Sequence, residues 1–188
     1  MLLGIGPYQV ASWATRIGLW KGTLVVEEGS KIHAAHYVPA GRDRFRGQRE
    51  IRLTRTLIDI KVSTLDTGGG LCVTEITSLQ KGGPARHLHH GQDEWFYVLE
   101  GEHVIEVGEE RYEGEPGDSV LAPRKVAHAW AHVGEGRGRL IAALQPAGEM
   151  EAFFDELAKL GSNLQREELR RAFRSHGMEL IGPPLSIE

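Results

Sequence analysis

HLHHGQDEWFYVLEG, residues 87–101, crowds three histidines and two acids into eight residues, then runs into an apolar segment closed by a glycine. In an extended strand, residues i and i+2 share a face. His87 and His89 then point one way and Leu88 the other. After a turn through His90, Gly91, Gln92 and Asp93, the chain enters a second strand whose Glu94 brings its carboxylate back to the same side. Gly101 permits a tight hairpin into EHVIEV. Two imidazoles and a carboxylate at this spacing form the core of a transition-metal site. Asp93 is the alternative acid, and alternation favours Glu94.

A further imidazole comes from GDSVLAPRKVAHAWAHV, residues 117–133, where the turn PRK leads into a strand that carries His128, Trp130 and His132 on one face. Phe96 lies on the Glu94 face. His103 opens the alternation His103, Ile105, Val107, which orients it toward the interior.

Around these segments, short runs rich in β-branched and aromatic residues alternate with turns. RLTRTLIDIKV, LCVTEITS, EWFYVLE, EHVIEV, SVLAP, AHAWAHV and RLIAAL are separated by DTGGG, QKGGP, EG, GEE, EGEPGD and GEGRG. Many short strands at close spacing predict an all-β antiparallel barrel or sandwich over 51–147. Residues 1–50 read as an N-terminal arm that contributes strands such as TLVVEE. Residues 148–188 differ: EMEAFFDELAKL repeats apolar residues at helical spacing up to Gly161, and SNLQREELRRAFRSHG predicts a second helix, with Ser162 and Gln165 at capping-box spacing and Gly177 beyond its last turn. The tail IGPPLSIE is expected to be extended.

With 22 Lys and Arg against 26 Asp and Glu, the net charge is −4 and no basic stripe forms, so no nucleic-acid partner is expected. No apolar run approaches the roughly 20 residues that span a bilayer, and the opening residues make a poor secretory signal. The single cysteine, Cys72, is expected to be a buried thiol, which fits a cytoplasmic setting.

The two histidine segments together resemble the cupin superfamily. Its first motif, G-x5-H-x-H-x3-4-E-x6-G, is met by His87, His89, Glu94 and Gly101, with Gly82 one residue closer than the pattern asks. Its second, G-x5-P-x-G-x2-H-x3-N, is met by Gly117, Pro123 and His128, with Lys125 in place of the second glycine and His132 in place of the asparagine. The resemblance covers residues 51–144, and the texture is most similar to small single-domain cupins of the quercetin-dioxygenase-like group. It implies a jelly-roll β-barrel and one divalent transition metal (Fe, Mn, Ni, Co, Cu or Zn) held by His87, His89, Glu94 and His128. It also implies a homodimer.

Three neutral imidazoles and one carboxylate leave a divalent ion with a net charge of +1, which suits a small monoanionic substrate. The expected activity is a metal-dependent dioxygenase acting on an enolisable or phenolic compound, with Glu94 also the catalytic base and Phe96, His103, Trp130 and His132 along the substrate's path. A metal-dependent isomerase, epimerase or lyase, and a non-enzymatic small-molecule-binding cupin, remain open beside it.

Overall fold

The computed structural model describes residues 16–20, 23–28, 31–33, 35–45, 47–162 and 164–187; the apolar opening stretch 1–15 lies outside them. The chain divides into two units, Met1–Tyr37 and Val38–Glu188. In the first, β1 (Arg16–Trp20), β2 (Thr23–Glu28) and β3 (Lys31–His33) form an antiparallel sheet in that order. β2 is the TLVVEE run.

The second unit holds two antiparallel sheets. β4 (Arg49–Ile51), β5 (Thr56–Val62), β6 (Cys72–Ser78), β8 (Asp93–Glu100), β11 (Ser119–Ala122) and β13 (Gly138–Gln145) form one, ordered β11-β8-β13-β6-β5-β4. β7 (Ala85–His89), β9 (His103–Val107), β10 (Glu110–Gly114), β12 (His128–His132) and β14 (Met178–Pro184) form the other, ordered β10-β9-β12-β7-β14. From β6 onward the chain passes repeatedly from one sheet to the other, the crossing pattern of a jelly roll.

Period-2 alternation decides which side chains go inside. β13 buries Gly138, Leu140, Ala142 and Leu144 and leaves the residues between them partly exposed. β8 does the same with Glu94, Phe96 and Val98. Phe96, Leu140, Ala142 and Leu144 meet Ile105 and Trp130 of the opposite sheet in one core. Full burial of an aliphatic side chain there contributes roughly 1.5–3 kcal/mol. Cys72 belongs to this core, and burial first of all pushes its thiol up to about 12. Among the described residues, no helix is long and apolar enough to cross a membrane.

Two helices follow the barrel strands, α1 (Met150–Lys159) and α2 (Arg166–Ser175). Phe153, Phe154 and Phe173 turn inward and join the core. α1 is tied to the barrel by Arg49, whose Nε donates to Asp155 Oδ1 at 2.5 Å, and by Ser63, whose hydroxyl donates to Glu151 at 2.9 Å. The capping box expected on Ser162 and Gln165 is built one turn later, by Gln165 and Glu168, because Gln165 is still extended (φ −72°, ψ 144°). The Gln165 N–H donates to Glu168 Oε2 at 2.9 Å.

Two further segments depart from expectation. RLTRTLIDIKV is interrupted by a turn at 52–55, in which Arg55 has φ 54° and Leu53 is exposed. β10, sequence ERYEG, has almost no buried side chain and forms by pairing with β9 alone. The extended tail begins as β14, which pairs with β7 at Met178–His89 and Leu180–His87. As an edge strand it tolerates Pro183 and Pro184, whose missing N–H groups need no ladder partner.

Candidate metal centre

β7 turns His87 and His89 inward, both buried, while Leu88 faces the other way. Glu94 is the first inward residue of β8 and is also buried. β12 sets His128 directly across from His87 in antiparallel register. The four side chains each offer one donor atom, and these atoms lie within 4.8 Å of one another. Glu94 Oε2 is 3.0 Å from the Nε2 atoms of both His89 and His128. The His89 and His128 rings are parallel at 5.4 Å, and the His87 ring stands edge-on to both.

Each imidazole is oriented through its other nitrogen. His87 Nδ1 donates to the Ala85 carbonyl at 2.8 Å, and His128 Nδ1 to that of Val126 at 3.0 Å. His89 Nδ1 donates to Gln92 Oε1 at 3.2 Å, and the Gln92 amide donates onward to the Ala147 carbonyl at 2.8 Å. With Nδ1–H engaged, Nε2 is the atom that faces the centre: in His89 and His128, without a metal, it carries the proton shared with Glu94, and it would release that proton to offer a lone pair to an ion. Gly148 makes room for this relay: a Cβ there would come within 2.4 Å of the Gln92 side chain.

Burial opposes a charge on His87, and the neighbouring His128 and His89 add to it, so His87 is pushed down to about 3. Burial likewise opposes ionisation of Glu94, but the hydrogen bonds from His128 and His89 outweigh it and hold the carboxyl well below its usual range. Burial works against a charged His89 too, and there Glu94 wins, raising it. A buried carboxylate thus relies on imidazoles for its compensating charge, and a divalent cation would supply more. Three oriented nitrogens and one carboxylate oxygen fit a first-row transition metal.

Residues 75–144 match the family model described as Cupin domain. Over that stretch the chain is similar to a cupin domain. Its fold is shared with KdgF from Halomonas sp., with a TM-score of 0.52 and 18% identity over 60% of this chain and 94% of that one. An RmlC-like cupin from Shewanella frigidimarina NCIMB 400 gives 0.50 and 20%, over 63% and 98%. A comparison with curated proteins finds no match.

Beside the cluster lies a cavity of about 560 Å³, which His87, Glu94 and Trp130 line together with residues of both helices and β14. Phe96, His103 and His132 are not among its described lining residues. Phe96 is fully buried behind the centre, its ring 6.0 Å from that of His128. His103 and His132 pair across β9 and β12, with ring centroids 5.4 Å apart. Asp93 stays outside the cluster, paired with Arg124 at 2.8 Å, whose hydrogen bonds pull its carboxyl down to about 2. His90 is exposed, 3.9 Å from Glu179.

Sequence reasoning missed Gln92, which looked like an ordinary turn residue, and Phe173, whose ring stands edge-on to His87 at 5.2 Å. Phe153 and Phe154 line the cavity as well. The only signal for these phenylalanines was the apolar face of each helix, which marks burial but not against what.

Proposed function

We propose that this cupin holds one divalent transition metal on His87, His89, Glu94 and His128, and that it is a quercetin-dioxygenase-like oxygenase of an enolisable or phenolic monoanion. The observation that carries this reading is the buried set of three oriented imidazoles and one carboxylate beside an apolar cavity. When bound, such an ion supplies Lewis acidity toward an enolate or phenolate oxygen and, if redox-active, the means to use oxygen. The protein's part is to set the charge and exclude water. Three neutral imidazoles and one carboxylate leave +1 on a divalent ion, which favours a monoanion over a neutral or dianionic ligand. Glu94 is the one carboxylate among the described lining residues, so its carboxylate oxygens are the acceptors available for a substrate proton. Apolar walls strengthen these electrostatic interactions.

A homodimer and a cytoplasmic setting belong to the same proposal. Unpaired strand edges support the first, and a lone buried thiol supports the second.

Elemental analysis of the purified protein should find about one transition metal per chain, and His128→Ala should lose it while still unfolding cooperatively. Unchanged metal content in that variant would overturn the ligand assignment. The metal-replete protein should consume oxygen with at least one member of a panel of enols and phenols. No uptake across the panel sinks the oxygenase reading, and turnover with zinc in the absence of oxygen replaces it with an isomerase or lyase.

A further inference from the structure

We infer that α1 and α2 make this cupin selective for monoanions with a bulky apolar body, the anionic head lying at His87 and Glu94 and the body against the helices. The inference rests on the metal-site reading for the head group, whereas the body is argued from the cavity alone. About 560 Å³ is space for a drug-sized ligand and far more than an acid of a few carbons fills. The helical wall is built by Phe153, Phe154 and Leu157 of α1 and by Leu169 and Phe173 of α2. A ligand rich in hydroxyls would leave its polar groups without partners against that wall, at a cost of a hydrogen bond each.

The polar exceptions are few, and each has a place. The hydroxyls of Thr54 and Thr56 bond each other at 2.7 Å. His87 and Glu94 belong to the metal cluster. Arg166, the one cation among the described lining residues, is exposed at the first turn of α2 and favours the entry of an anion. Phe173 joins the two regions. Its ring packs on His87 while the same side chain lines the cavity, so the apolar wall begins where the head-group site ends.

The test is displacement of anilinonaphthalene sulfonate, a fluorescent apolar monoanion, by n-alkanoates from acetate to decanoate. It is run on the full-length protein in zinc-loaded and metal-free form. Each added methylene should tighten binding about three- to fourfold until the cavity is filled. Zinc should strengthen every member of the series by a common factor. Leu157→Gln and Leu169→Gln, both at half-buried positions, should flatten the series without changing zinc stoichiometry. A flat series in the wild-type protein, or no binding of the dye, overturns the inference, as would happen if the protein's own residues filled the cavity. A series that steepens normally in both helix variants removes the helices from the role. A steep series that zinc does not strengthen overturns the head-group assignment and leaves the apolar-body assignment standing.

Discussion

Lys125 has φ 68°, in the left-handed region, and its backbone N–H donates to the His89 carbonyl at 2.7 Å. The turn ahead of β12 is thereby latched to the strand that carries two of the candidate ligands. A side chain in this region costs about 1–2 kcal/mol, part of which a glycine would return as extra freedom in the unfolded chain. Lys125→Gly should therefore raise stability by about 0.5–1 kcal/mol, seen as a higher midpoint in urea. A lower midpoint would mean that the lysine side chain, and not its backbone, matters. The sequence marked this position only as a departure from a motif glycine. It marked the four donors far better, because two-residue alternation and fixed spacing are local properties. Gln92 was illegible, since its role depends on a carbonyl at Ala147, 55 residues further along the chain.

At the scale of elements, β9 and β12 bring His103 and His132 face to face. Their Nδ1 atoms donate to the carbonyls of Gly101 and Gln80, while neither Nε2 meets a partner among the described residues. β13 accommodates the pair only because position 138 is glycine: a Cβ there would lie 2.4 Å from the His132 ring and 2.9 Å from His103 Nε2. Burial first, and His132 second, push His103 down to about 4. Unfolded histidine titrates near 6.5, so below that pH the unfolded chain binds a proton that the folded one refuses. The stability contributed by neutral His103 is complete above roughly pH 6.5 and is lost as pH falls toward 4. His103→Gln should abolish on the order of 2 kcal/mol of the loss between pH 7.5 and 4.5, measured by urea unfolding at both. An identical loss in variant and wild type would refute the assignment. β8 and β13 were legible as strands because each is a short apolar run bounded by turn residues. β10 was not, because an exposed edge needs no apolar face.

At the scale of the molecule, β10 and β14 end one sheet and β11 and β4 the other among the described strands. β11 exposes Leu121 beside its cross-strand partner Trp95, also exposed. Such edges favour pairing with a second copy. Light scattering after size exclusion should give twice the chain mass, and a single chain mass at micromolar concentration would remove the homodimer. An antiparallel barrel or sandwich and both helices could be anticipated from local pattern, and the jelly roll from the resemblance, but the cavity could not. It arises where α1, packed on β4, and α2, packed on β14, meet above residues of both sheets, and that closure depends on contacts between residues far apart in sequence.

β14 also sets an order of events during synthesis. A ribosome makes β7 long before β14, so the strand bearing His87 and His89 waits as an open edge while the intervening residues are translated. Until residues 178–184 emerge, β7 keeps one edge open even after β12 has paired with its other edge, and that edge can pair with another nascent chain. The ion proposed above would therefore meet its finished site only after β14 is in place, and a chain that stops short of Met178 leaves one edge of β7 uncovered.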